Sequence, residues 1–135
     1  YAARGQGQNI TYPWGNAAPD CSYADHYHNN GYCNGVGTSP VCNTPLGNTE
    51  QGLCDMAGNL WEWVLDEWHE NYDGAPVDGS PWCETLACAN NGAYRVHRGG
   101  HWSYDANSLR AAYRGSNSPA DQSLNIGGRL ARSVR

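Results

Sequence analysis

The sequence predicts a single turn-rich domain built from short strands, without long helices. Three observations carry that expectation. Seventeen of the 135 residues are glycine and only 16% are charged, a composition that favours tight turns over long amphipathic helices. Turn dipeptides recur along the chain, at Gly58-Asn59, Asp73-Gly74 and Asn91-Gly92,. Apolar and aromatic residues follow a period of two in Leu60–Val64, the signature of a half-buried strand. A chain of 135 residues fills one domain spanning 1–135, with a core but no room for a second.

The elements follow in order. Tyr12-Pro13-Trp14-Gly15-Asn16 reads as extended and then turning, because the residue before proline avoids the helical region. Asn9-Ile10-Thr11 is a formal glycosylation sequon. Residues 17–51 form a long loop rich in Asn, Gly, Pro and Thr, which must be stapled or metal-bound to be ordered. Within it, Cys21, His26, His28 and Cys33 have a spacing that would suit zinc. The competing reading makes His26 and His28 exposed loop residues beside cysteines that pair with one another. Leu60–Val64 is a strand, with Leu60, Glu62 and Val64 on one side and Trp61 and Trp63 on the other. Asp66, Glu67 and Glu70, interleaved with Trp68 and His69, are expected on a solvated face. Residues 73–93 are loop. Tyr94–His97 is a second strand, and Gly99-Gly100 permits close backbone approach, as at a bulge. In Leu109–Arg114, Leu109 and Ala112 are expected in the core, with Arg110 and Arg114 anchored to acids. Ser116–Pro119 is a turn, and 127–131 a closing strand.

Charge is divided along the chain. Residues 95–135 carry seven arginines against two acids, net +5; residues 1–94 carry one arginine against eleven acids, net −10. The division favours docking of one half on the other, or head-to-tail association of copies. The overall charge of −5 argues against a nucleic-acid partner. No apolar run approaches the ~18 residues needed to cross a membrane. Six cysteines, an even number, point to an oxidised, secreted protein in the extracellular space or periplasm. Cys83 and Cys88 are near enough to close a small loop. Cys21, Cys33, Cys42 and Cys54 allow three pairings, of which the sequential one, Cys21–Cys33 with Cys42–Cys54, gives the shortest loops.

One stretch, residues 52–66, concentrates the chemistry. Asp55 and Glu62 flank the Gly58-Asn59 turn, where both residues tolerate positive φ. A glutamate set among tryptophans is costly to bury unless it is paired or binds a metal. Two carboxylates and the carbonyls of the turn make a candidate calcium cage. A capped turn leading into a strand is the alternative reading of the same residues.

The run Cys54-Asp55-Met56-Ala57-Gly58-Asn59-Leu60-Trp61-Glu62-Trp63 resembles the central signature of the formylglycine-generating enzyme (sulfatase-modifying factor) family. Tyr1-Ala2-Ala3-Arg4-Gly5, Tyr12-Pro13-Trp14-Gly15-Asn16, Arg95–Trp102 and Ile126–Arg129 resemble its other blocks, in the same order. The resemblance implies an irregular α+β, C-type-lectin-like fold with little regular secondary structure. It implies that residues 1–4 close a helix that begins upstream, so that the domain is expected to be truncated at its N-terminus. It places a calcium on the Asp55 and Glu62 side chains and the Gly58 and Leu60 carbonyls. A second family calcium falls near Cys21 and at Cys33, where a disulfide is expected instead. The family's Gly-Phe-Arg motif is Gly127-Gly128-Arg129 here, leaving space where a ring would stand.

The family's oxidases hold copper on two cysteine thiolates after the Gly-Gly-Ser-Trp block, and soft Cu(I) needs such ligands. Here Tyr104, Asp105, Asn107 and Leu109 occupy that segment. The related sulfoxide synthases hold iron with histidines of an upstream helical domain, which residues 1–135 do not contain. His97, His101, Ser103 and Asp105 could be assembled into a hydrolytic set, but such catalysis depends on convergence that spacing does not show. Residues 103–125 are instead rich in Tyr, Ser, Asn, Asp and Gly, as adaptable binding surfaces are. Tyr104, Asp105, Asn107, Tyr113, Asn117 and Asn125 form the expected contact set. The expected function is a non-catalytic extracellular module that binds a protein, a glycan or copies of itself, with filament assembly one version. The alternative is an enzyme of the same family completed by an upstream part.

Overall fold

The computed structural model describes residues 2–84, 88 and 93–130. A four-stranded sheet organises them in the order β5-β4-β3-β6, with β3 at Trp61–Glu67, β4 at Arg95–Arg98, β5 at Gly115–Asn117 and β6 at Ile126–Gly127. β4 runs antiparallel to β3 and β5, while β6 lies parallel to β3 with Trp61 beside Ile126. A small hairpin of β1 (Tyr27–His28) and β2 (Gly31–Tyr32) stands apart. Helix is confined to 3₁₀ turns at Ala2–Arg4, Pro45–Gly47 and Ala106–Leu109. The first ends at Gly5, whose φ of 50° is the left-handed conformation glycine adopts readily,.

The central strand starts one residue later and ends three residues further on than its sequence pattern predicts. Its register with β4 shifts between Trp63 and Glu67, and the irregularity re-aims the side chains beyond it. Glu67 is therefore only 2% exposed. Its Oε2 accepts the Glu84 N–H at 2.8 Å, and Asp66 accepts the Trp82 N–H at 2.8 Å. The expected solvated face is thus limited to Glu70 among those three acids. The closing strand is shorter than predicted, covering Ile126–Gly127; Ala131, its expected end, lies outside the described residues.

The apolar core is small. Among the described residues the buried hydrophobic side chains are Ala24, Ala57, Trp61, Val96 and Leu109. Tyr12 and Trp14 pack against the Ala24–Ala57–Leu109 cluster, and a stack of Tyr12, Trp14 and Tyr23 continues outward with centroids 5.0 and 5.2 Å apart. Leu109 is fully buried as expected, whereas Ala112 is exposed. The 3₁₀ turn ends at Leu109, with an extended residue at Arg110, so the helical spacing that would have brought Ala112 inward does not continue.

Eight polar residues are buried beside these five apolar ones, and one of them, Asp25, meets the Gly58-Asn59 turn. The Asn59 amide N–H donates to the Asp25 carbonyl at 2.9 Å, and Gly58 N–H to the Gly99 carbonyl at 2.8 Å. The Asn59 side chain exchanges two hydrogen bonds with the Ser39 backbone, at 3.0 and 3.1 Å. Ser39 Oγ donates to Asp25 Oδ2 at 2.6 Å. The long loop is ordered by this anchoring and by its cross-links: Cys21 is bonded to Cys33 and Cys42 to Cys54, with Cys83–Cys88 closing the small loop. All three match the sequential pairing. His26 is fully buried rather than exposed, because the chain around Asp25 is drawn under the turn.

The arginines dock differently from expectation. Two ion pairs join the acidic and basic parts among the described residues, Arg95–Glu67 at 3.6 Å and Arg129–Glu62 at 2.9 Å. Arg110 and Arg114 have no acidic partner there. Arg110 Nε donates to the Asn107 carbonyl at 3.1 Å. Arg114 lies 4.4 Å from the ring centroids of both Trp68 and Tyr72, because the loop brings rings rather than carboxylates to that place.

Two glycines separate the tight part of the fold from the loose one. At Gly58, with φ of 84°, a Cβ would stand 2.6 Å from the Asp25 carbonyl oxygen and 2.9 Å from its nitrogen; at Gly128 it would meet nothing within 4 Å. Gly58→Ala is expected to destabilise the domain by about 2 kcal/mol or more, since a backbone clash adds to left-handed strain. Gly128→Ala is expected to change stability by no more than about 0.5 kcal/mol. Urea unfolding of both variants checks the pair, and equal effects would contradict this packing.

Candidate functional site

Two sites form on the sheet, one at each side of Trp61. The first gathers the acidic turn. Asp55 adopts φ of 51°, and its Oδ2 accepts the Cys42 N–H at 2.6 Å. Glu62 faces Arg129, whose Nε lies 3.1 and 2.9 Å from the two carboxylate oxygens and whose Nη2 donates to Oε1 at 2.9 Å. The same Nη2 donates to the Asp55 carbonyl at 3.0 Å. Hydrogen bonding to Glu62 raises the Arg129 pKa above its ordinary value. A cavity of about 120 Å³ is lined by Asp55, Gly58, Leu60 and Glu62, the four predicted calcium ligands, together with Val41, Asn59, Gly128 and Arg129.

The donor set fits a hard cation in type, with two carboxylates and two residues whose carbonyls were expected as ligands around one small cavity. Arg129 complicates the fit by engaging both Glu62 oxygens, so an ion would share that carboxylate with a guanidinium. Arg129 was not predicted as the partner of Glu62, although it stands in the Gly127-Gly128-Arg129 block. The side chains of Cys42, Cys54 and Asp55 also approach within 4.8 Å of one another, but the two sulfurs are bonded together. Likewise, the Cys21–Cys33 disulfide removes both thiolates from the zinc reading, leaving His26 Nδ1 3.0 Å from the Ala24 carbonyl.

The second site is a cavity of about 230 Å³ lined by Trp61, His97, Tyr104, Tyr113, Gly115, Ser116 and Asn117. β3 supplies Trp61, β4 supplies His97 and β5 supplies Gly115 to Asn117. The Trp61 ring lies 4.5 Å from His97, 5.7 Å from Tyr113 and 6.0 Å from Tyr104. His97 Nε2 is 2.9 Å from Asn117 Oδ1, which assigns the proton to Nε2. Nδ1 is then a buried acceptor with no hydrogen-bond partner among the described residues. Burial lowers the pKa of His97 and of His101 below the ordinary imidazole value; His97 adds to the effect on His101. Gly115 is required beneath His97, since a Cβ there would run into the imidazole ring.

Three of the six expected contact residues, Tyr104, Tyr113 and Asn117, therefore meet at this cavity. The other three build its surroundings. Asp105 caps the 106–109 turn by accepting the Asn107 N–H at 3.0 Å. Asn107 offers its carbonyl to Arg110, and the Asn125 carbonyl accepts the Trp61 N–H at 2.8 Å. Trp61, His97 and Ser116 were not predicted as part of the site. The alternation of residues 60–64 separates Trp61 from Glu62, but it does not say what the tryptophan faces. The hydrolytic set does not assemble: Ser103 Oγ lies 3.3 Å from His101 Nδ1, while Asp105 is turned to the Asn107 amide.

Residues 1–134 match the sulfatase-modifying factor enzyme 1-like domain. The hercynine oxygenase of Mycolicibacterium thermoresistibile is 31% identical over 138 residues, covering 95% of this chain and 28% of that protein. The formylglycine-generating enzyme of Mus musculus is 30% identical over 141 residues, covering 97% of this chain and 36% of that protein. Among solved structures, PvdO from Pseudomonas aeruginosa superposes with a TM-score of 0.74 at 33% identity, covering 95% of this chain and 47% of that one. Treponema denticola variable protein 1 gives a TM-score of 0.68 at 24% identity, covering 95% and 42%, a likeness of fold alone. The chain thus spans less than half the length of these relatives. By its sequence and its irregular, C-type-lectin-like fold, it belongs to the formylglycine-generating enzyme (sulfatase-modifying factor) family.

Proposed function

We propose that this chain is a non-catalytic binding module of its family, working in the extracellular space or periplasm and presenting the exposed Tyr104, with Tyr113 and Asn117 beside it, to a glycan, a protein or another copy of itself. One observation carries the reading. The positions where the family's oxidases place their copper thiolates hold Tyr104 and its neighbours, and all six cysteines are bonded elsewhere in pairs. Three disulfides suit an oxidising compartment. Tyr104 and Tyr113 supply rigid contact area at low entropic cost, and Asn117 supplies adaptable hydrogen bonds. An enzymatic reading draws support from the relatives named as enzymes and from the buried, unpartnered His97 Nδ1; it requires reactive groups from beyond residues 1–135.

Tyr104 is 50% exposed, so Tyr104→Ala removes contact area without opening the core. Glycan-array binding and analytical ultracentrifugation test the module directly. The wild type is expected to bind a glycan or to self-associate, and Tyr104→Ala to weaken that interaction about tenfold or more, as for an exposed aromatic anchor. A monodisperse monomer that retains no glycan would overturn the glycan-binding and self-assembly readings.

We further infer that calcium occupies the Asp55–Glu62 cavity and stiffens the turn that carries Trp61. Calcium at a hundredfold excess over its dissociation constant would stabilise the fold by about 2.7 kcal/mol. Melting of the chain in calcium and in chelator is therefore expected to differ by several degrees, and Glu62→Gln to abolish the difference. An unchanged midpoint in the wild type would refute the calcium assignment while leaving the binding face untouched.

A further inference from the structure

A third cavity, of about 140 Å³, lies between the sheet and the loop that follows β3; its walls include Asp66, Glu67, Tyr72, Trp82, Arg98 and Arg114. We propose that this cleft binds a small zwitterion of the α-amino-acid class, with its carboxylate toward Arg98 and Arg114 and its ammonium toward Glu67 and Asp66.

The positive side consists of two guanidinium groups that have no acidic partner among the described residues, where the ion pairs are Arg95–Glu67 and Arg129–Glu62. Arg98 is held by neutral oxygens: its Nη1 donates to the Ala111 and Tyr113 carbonyls at 3.2 Å, and its Nη2 to the Tyr72 hydroxyl at 3.2 Å. Arg114 is clamped between Trp68 and Tyr72, 4.4 Å from each ring centroid. These contacts fix the two groups without neutralising them. A fixed, planar guanidinium is the group best shaped for a carboxylate.

The negative side is Glu67, which is 2% exposed. Its Oε1 is buried with no hydrogen-bond partner among the described residues, and Arg95 Nη1 stands 3.6 Å away, beyond hydrogen-bonding distance. A buried carboxylate oxygen left in this state is costly, and an ammonium donor would satisfy it. Asp66, half-buried in the same wall, keeps Oδ1 on the Trp82 N–H.

The two signs in one cleft select the ligand. A phosphate or sulfate dianion would gain from the arginines but be repelled by Glu67 and Asp66. A simple cation meets the reverse conflict. A molecule carrying both charges matches both walls. The volume is well below the ~300 Å³ at which drug-sized pockets begin, which confines the ligand to a few heavy atoms beyond the two charged groups.

Trp82 stands in the wall and reports occupancy. The intrinsic fluorescence of the full chain would be titrated with glycine, L-alanine, sodium acetate, methylammonium chloride and sodium chloride. Saturable changes are expected for glycine and alanine, with acetate and methylammonium about tenfold weaker or more, since each makes half of the charged contacts. Arg114→Gln and Tyr72→Phe, both near the surface, should each weaken glycine binding, whereas Arg110→Gln should leave it unchanged. The proposal is overturned by the absence of a saturable response to any probe, by acetate equalling glycine, or by wild-type binding in Arg114→Gln.

Discussion

The interaction on which the structure depends is the seating of the Gly58-Asn59 turn on Asp25 and Ser39. Asn59 ties together four segments: its side chain closes two bonds with Ser39, its N–H reaches Asp25, and its carbonyl accepts the Trp102 N–H at 3.0 Å. Gly58 adds the bond to Gly99 and allows the approach to Asp25 that any side chain would block. The turn places Asp55 and Glu62 on one cavity and starts β3 with Trp61 facing the other. Both candidate sites are consequences of one junction.

That junction matters because the apolar core is thin. Two of its five buried hydrophobic residues are alanines, so little apolar area is removed from water per residue. Native disulfides, each worth roughly 2–4 kcal/mol through constraint of the unfolded chain, and the hydrogen-bonded junction of Asp25, Ser39 and Asn59, supply much of the definition that a larger core would give. The ion pairs have a narrower role. Glu62–Arg129 is bidentate and partly exposed, with side chains 24% and 35% accessible. Its principal effect is geometric, fixing the chain after β6 against β3 and closing one side of the acidic cavity.

Much of this was legible in the sequence where the physics is local. The turn at Gly58-Asn59, the strand through Trp61, the fully buried Leu109 and the sequential disulfides follow from backbone tolerance, alternation, apolarity and loop length. The acidic cavity was legible because its four members lie within eight residues. What escaped the sequence depends on distant partners. Glu67 appeared solvated until a register shift turned it inward, and Arg114 was matched to acids although two rings reach it first. His26 is buried because Asp25 is drawn beneath a turn some 30 residues away. The aromatic cavity was half legible, since composition marked Tyr104, Tyr113 and Asn117, but the Trp61–His97 wall exists only once β3, β4 and β5 are side by side.

The six cysteines of this family member are paired in cross-links, and the proposed non-catalytic reading rests on their leaving no thiolate to hold copper. The measurement that tests this most directly combines thiol counting with Cu(I) titration of the natively purified chain, read by thiolate-to-copper absorption, followed by incubation with a cysteine-containing peptide in air. The account predicts six blocked sulfurs, no thiolate-to-copper band and no copper-dependent oxidation of the peptide. A tightly held Cu(I) with thiolate ligands, turning over the peptide, would contradict it.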